Sequence, residues 1–309
     1  MTRRMNKITE QFLKMVSDFK GSFDGAFSIR ENGECAARQS TANIQIESKT
    51  DAPGLVVHVK PGTRGEKVYI PACVTHGDLD DLVYNDFYIG EGADVTIVAG
   101  CGVHNDEDAE ARHNGIHRFF IEKDAHVLYQ EKHVATGSGR GAKRIDPVTD
   151  VHLAEGASLE MDTVQLGGVD STLRKTSAVL GDRARLLVRE RIMTDGNEAA
   201  RTDFEVSLDG EDCGADLISR SVARGRSHQE FYSCLRGRNH CTGHSECDAI
   251  LADQGTVTAQ PALEASHVDA ALIHEAAIGK IAGEQILKLR TLGLTEEQAE
   301  EKIIEGFLA

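Results

Sequence analysis

Apolar positions change their period three times along the chain. Ile8, Phe12, Met15, Val16 and Phe19 recur at helical spacing and predict a short amphipathic helix that Gly21 ends. From about Asp51 the period falls to two: Leu55, Val57 and Val59 alternate with Val56, His58 and Lys60, "KPG" turns the chain, and "EKVYIPACV" reads as the next strand. After Gln260-Pro261 the helical period returns in Ile278, Ala282, Ile286 and Leu289, stopped by Gly293. Thr295 and Gln298 then form a capping box for a second helix carrying Ala299, Ile303 and Phe307.

Between these ends lies a repeat. "IGEGADV", "IEKDAHV", "LAEGASL" and "LGDRARL" each set an aliphatic residue four before an alanine, a polar turn between them, and an aliphatic two after it. "CGADL" continues the pattern in weaker form, which puts the repeated alanine at positions 93, 125, 157, 184 and 215. A steady period near thirty residues, made of short alternating strands such as "ADVTIVAG" and "HVLYQEKHV", predicts stacked copies of one supersecondary unit. No stretch is long enough for a crossover helix, so a β-solenoid is expected, each coil burying its inward row on its neighbour. A β-sandwich with regular hairpins is the rival. The expected fold class is mainly β: a right-handed β-helix (solenoid) core with a short N-terminal helix and a C-terminal helical hairpin. Residues 1–50 form the lead-in, 51–262 the core and 263–309 the helical segment.

Composition narrows the function. With 309 residues and 40% apolar content the chain can bury a sizeable core. A net charge of -16 repels nucleic acid and anionic lipid. No apolar run approaches eighteen residues, so no transmembrane helix is expected. Thr9, Glu10, Gln11 and Lys14 interrupt the N-terminal apolar positions, so no signal peptide is expected either. Seven cysteines in such a chain read as thiols of a reducing cytoplasm.

Several common chemistries are missing. There is no G-x-x-x-x-G-K-[ST] phosphate loop, no G-x-S-x-G, no H-E-x-x-H, and no strand followed by G-x-G-x-x-G. What remains is sulfur and imidazole: Cys73, Cys101 in "VAGCGVHN", the dense stretch "GRNHCTGHSECDAILADQG", and His274-Glu275 at the expected start of the C-terminal helix. Cys73 and Cys213 read as small buried hydrophobes. Cys247, ahead of the apparent core strand "DAILAD", fits burial as well as ligation. His240, Cys241, His244 and Cys247 could chelate zinc, but C-x5-C is not a standard zinc spacing. His274-Glu275 fits a carboxylate favoured by a helix dipole. The residues alone leave these alternatives open.

The C-terminal half carries more specific stretches. "ISRSVARGRSHQEFYSCLRG", "CDAILAD" and "HEAAIGKIAGEQILKLRTLGLTEEQAEEKIIEGF" closely resemble the SufB/SufD family, scaffold proteins of the Suf iron–sulfur cluster assembly system. Upstream, "VAGCGVHNDEDAEARHNGIHRFFIEKDAHVLYQ" resembles the family's stretch around its sulfur-accepting cysteine. The resemblance runs in order from about Val68 to Leu308, and the family's β-helix core agrees with the repeat. "HEA" is typical of SufB where SufD has "HGA", so His274-Glu275-Ala276 makes the chain SufB-like.

The resemblance implies a cytoplasmic assembly scaffold, itself no enzyme, that carries a transient iron–sulfur cluster. Cys101 would be the sulfur acceptor. Cys247 would be the cluster site, with Glu275 and the neighbouring His274 as ligands from across a dimer interface. Cys241 and His244 would be accessory ligands at most. Thiolate, imidazole and carboxylate suit a cluster that must remain transferable. A single acceptor thiol suits persulfide relay. The implied partners are a SufC-type ABC ATPase docking on the C-terminal hairpin, a second scaffold chain (homodimer or SufB/SufD-type heterodimer), a cysteine desulfurase or sulfur carrier, and apo iron–sulfur proteins. Neither nucleic acid nor membrane is expected as a partner. Two departures stand out: the chain lacks the long, cysteine-rich N-terminal segment of long SufB proteins, and it ends at Ala309 where many members continue. A compact homodimer that keeps only part of the ATPase-docking region follows. The alternatives are a β-solenoid enzyme, a lyase or acyltransferase, and a metal-binding paralogue of the scaffold.

Overall fold

The protein is described here by a computed structural model covering residues 5–17 and 19–309; residues 1–4 of the expected lead-in lie outside the described residues. The elements begin with α1 (Lys7–Val16), β1 (Ala26–Glu31), β2 (Glu34–Gln39), β3 (Ile44–Ser48), β4 (Gly54–Val59), β5 (Arg64–Val74) and β6 (Leu79–Ile89). They continue with β7 (Asp94–His104), β8 (Ala111–Ile121), β9 (His126–Thr136), β10 (Lys143–Ile145), β11 (Val148–Leu153), β12 (Ser158–Leu166) and β13 (Ser171–Leu180). Then come β14 (Arg185–Thr194), β15 (Ala199–Leu208), β16 (Cys213–Ala223), β17 (His228–Gly237), β18 (Cys241–Leu251), β19 (Thr256–Ala265), β20 (Ala270–Gly279), α2 (Gly283–Arg290) and α3 (Glu296–Phe307).

Alternate strands go to alternate sheets. One sheet has the order β2-β1-β5-β7-β9-β12-β14-β16-β18-β20 and the other β19-β17-β15-β13-β10-β8-β6-β4-β3, with β11 also between β8 and β13. Apart from the antiparallel pairs β1–β2 and β3–β4, the pairing is parallel and in register from coil to coil. This is the β-solenoid expected from the repeat. Inward rows such as Val127, Tyr129, Glu131 and His133 alternate with wet outer rows, so each coil covers the core of the next. Burying a large aliphatic or aromatic side chain in such a row contributes about 1.5–3 kcal/mol.

The repeated turn explains the alanine. Gly92, Asp124, Gly156, Arg183 and Asp212 all have positive φ. The residue after each starts a strand row in which little space is left, and Ala93, Ala125, Ala157 and Ala184 are all fully buried. The amides of His126, Ser158, Arg185 and Gly214 donate to the carbonyls of these four alanines in turn. The fifth position is therefore Cys213, and not the expected Ala215. Cys213 pairs with Cys241, and Cys241 with Ala270. Cysteine substitutes for alanine here as a small apolar filler, which hid the register from a pattern built on alanine.

Both termini differ from expectation in detail. Asn6 caps α1 through its side chain, and Phe12, Leu13 and Val16 are buried, whereas Met15 is exposed. The helix lies across β7 where Gly100 and Gly102 leave room. A Cβ on Gly100 would stand 2.5 Å from that of Val16, and one on Gly102 would overlap the Phe12 ring. At the other end, β19 and β20 carry the coils through Gly279, past residue 262, and helical structure begins only at Gly283. His274-Glu275 therefore sits in a strand, and the helix-dipole account of Glu275 falls. The Thr295–Gln298 capping box is present. Ile304 and Leu308 of the last segment pack on Val222, while α2 buries none of its residues. No helix among the described residues is long and apolar enough to cross a membrane.

Candidate functional site

Cys101 lies within β7, between Gly100 and Gly102 and three residues from the strand's end. Gly100 and Gly102 face α1, so Cys101 faces the interior, where it is 4% exposed. Burial pushes its thiol well above the ordinary value, with Cys73, Asp81 and Glu131 adding to the effect. A donor cannot meet this thiol on the outer surface. The thiol instead borders a cavity of about 270 Å³ that also touches Glu131, His133, Arg38, Lys49 and the exposed Cys35.

Next to Cys101 the interior turns polar. His133 is its in-register neighbour on β9, and Glu131 precedes it on the same inward row. Arg174 of β13 reaches across from the opposite sheet. Its Nη1 donates to Glu131 Oε2 at 2.6 Å, its Nη2 meets His133 Nδ1 at 3.2 Å, and its Nε lies 3.2 Å from Glu190 Oε2. Thr202 and Ser219 hydroxyls each donate to Glu190 at 3.0 Å. All of these side chains are buried. Burial opposes ionisation of Glu131, yet the charges of His133 and Arg174 hold its carboxyl well below the usual range. Burial raises Glu190 despite Arg174. These residues were not singled out from the sequence. The signal was there: Glu131, His133, Arg174 and Glu190 stand at positions where strict alternation calls for apolar side chains.

Ser219 links this network to Cys247, its in-register partner on β18. Cys247 is 1% exposed and inward, with its thiol pushed up to about 12, by burial first and then by the charges of Glu190 and Asp248. The next strand, β20, is the last of its sheet. His274 pairs with Ser245 and Ala276 with Cys247, so His274 shares the inward face with Cys247. Its Nδ1 is buried without a hydrogen-bond partner. A buried ring nitrogen without a partner, on the face that also carries the thiol, is an open donor position.

Glu275 takes the other face. It pairs with Glu246, and its Oε2 lies 3.7 Å from His244 Nε2. Within one chain Cys247 and His274 thus share the inward face of the sheet, whereas Glu275 and His244 share the outer face. Cys241 is 1% exposed in the alanine row of the core and lines neither group. The disfavoured zinc alternative is not assembled: Cys241 and Cys247 are inward, whereas His244 is on the outer face and His240 is bound to Asp212.

The family described as SUF system FeS cluster assembly, SufBD core domain, matches residues 85–307. Among relatives, an iron–sulfur cluster assembly SufBD family protein of Methanothermobacter thermautotrophicus is 28% identical over 270 residues, 85% of this chain and 64% of the relative. One from Archaeoglobus fulgidus is 27% identical over 260 residues, 84% of this chain and 69% of the relative. The iron–sulfur cluster assembly protein SufD of Escherichia coli is 24% identical over 277 residues, 88% of this chain and 62% of the relative. The chain thus spans just under two thirds of the first and last of these proteins.

Proposed function

The chain belongs to the SufBD core family of the SUF iron–sulfur cluster assembly system, and we propose that it is a SufB-like scaffold that takes sulfur at Cys101 and builds a cluster at Cys247 and His274. The observation that carries this reading is the bare, buried His274 Nδ1 on the same inward face as the Cys247 thiol, at the open end of the solenoid. One soft thiolate and one imidazole hold iron while leaving other positions free for sulfide and for exchange. Both ligands must lose their protons or hydrogen bonds to bind metal, and the raised Cys247 thiol does so readily only when iron is offered. Glu275 can join such a cluster only from a partner protomer, because in its own chain it faces away.

Sulfur transfer at Cys101 is an exchange without net oxidation. The Cys101 thiolate attacks the outer sulfur of a donor persulfide, the new S–S bond replaces the old one, and the donor leaves as a thiol carrying the proton. The cavity is the approach that the buried thiol requires. The polar row from Glu131 through Arg174 and Glu190 to Ser219 joins the acceptor to the cluster end inside the coils. An ATPase of the SufC type is the proposed partner at α2, whose Leu287 and the following Leu292 are 62% and 76% exposed. A cysteine desulfurase or carrier would supply sulfur, and a second scaffold chain and apo-proteins complete the set. Incubation with a cysteine desulfurase and its substrate, followed by persulfide mapping, tests the entry step. Label concentrated on Cys101 and lost in Cys101→Ser supports it; undiminished label in that variant moves the role to another thiol.

A further inference from the structure

The outer face of β18 and β20 carries a second constellation, independent of the inward thiol. His244 and Glu246 are two apart on β18 and so share that face, and Glu275 is the in-register partner of Glu246. One ligand atom from each of the three lies within 4.8 Å of the others. His244 is oriented for ligation. Its Nδ1 lies 2.8 Å from Oδ1 of Asp216, its in-register partner on β16, which fixes the proton on Nδ1 and turns the Nε2 lone pair toward the glutamates. Asp248 and Arg220 flank the group.

We propose that His244 Nε2, Glu246 and Glu275 bind one borderline divalent transition-metal ion of the ferrous type, with Asp216 as the positioning residue behind the imidazole. A donor set of one imidazole and two carboxylates, with no sulfur, suits such ions and leaves positions for water. The backbone already spaces the ligands. His244 Nε2 and Glu275 Oε2 are 3.7 Å apart, so small side-chain rotations close them around an ion whose bonds are about 2.0–2.2 Å long. The charges agree with this assignment. His244 faces the carboxylates of Asp216, Glu246 and Glu275, so the hollow carries net negative charge that a divalent cation would offset. The ion would sit on the side of the sheet away from Cys247 and His274. The inference goes beyond the cluster reading and does not require it.

Titration of the full-length protein with Co2+ under anaerobic conditions, followed by absorption, tests the site. One equivalent should bind with d–d bands of nitrogen–oxygen ligation and no thiolate charge-transfer band. His244→Ala and Glu246→Gln should each weaken binding about tenfold or more, with the fold intact by circular dichroism. Cys247→Ser should leave it unchanged. Unaltered affinity in Glu246→Gln, or loss of the ion together with a charge-transfer band in Cys247→Ser, overturns the proposal. Cluster reconstitution in Glu246→Gln separates the two readings, because that side chain has no part in the inward site.

Discussion

Cys247 and Glu275 stand on adjacent strands one register position apart, and they project to opposite faces of the same sheet. A cluster held by both must therefore draw them from two chains, whereas Cys247 and His274 lie on one face of a single chain. The relationship follows from the two-residue period of a strand and needs no assumption about the partner.

The inner network predicts a large stability effect. Arg174 bridges Glu131 and Glu190, all three being buried. Arg174→Met leaves two carboxyls without their cation, and breaking a buried pair in this way costs about 3–5 kcal/mol. Urea denaturation should show the midpoint falling sharply. A midpoint within error of wild type would mean that the network is not formed in solution.

Acid should loosen the same region. Burial lowers His117 to about 4, and it lowers His133 too. A histidine with a depressed pKa binds its proton more readily when unfolded, so stability is full above about 6.5 and is lost as pH falls toward 4. For His117 alone this amounts to about 3 kcal/mol. Melting temperatures across that window should fall less steeply in His117→Asn than in wild type. Parallel pH profiles would contradict the buried neutral imidazole.

The helical end makes a separate prediction. Leu287 and Leu292 contribute nothing to the packing around Val222, so Leu287→Glu with Leu292→Glu should leave the fold unchanged. Co-purification with a SufC-type ATPase should be lost. Full capture of the ATPase by the double variant would place the docking surface elsewhere.

Much of this architecture was legible from periodicity. The turns with a left-handed residue ahead of a small one announce each coil, and Thr295–Gln298 announces the last helix. The strand β20 was not legible. Most of its residues are exposed because nothing stacks beyond it, so no alternation survives in "AALIHEAAIG", and its apolar positions merge with the helical stripe of α2. That merging put His274-Glu275 at a helix start and concealed which face each takes. Nothing in the sequence marks Glu246 next to Cys247, and only the pairing with Glu275 brings it beside His244. The roles of the two cysteines rested on resemblance, since spacing alone cannot distinguish Cys247 from Cys241.

Anaerobic reconstitution with iron and sulfide, read by visible absorbance, tests the central claim most directly. Wild type should develop the cluster absorbance, Cys247→Ala should abolish it, and His274→Ala should reduce it severalfold, each with the fold intact by circular dichroism. Cys241→Ala should match wild type, because alanine already fills the equivalent position at Ala184 and Ala270 in other coils. Wild-type cluster yield in Cys247→Ala, or loss of the cluster in Cys241→Ala alone, would contradict the account.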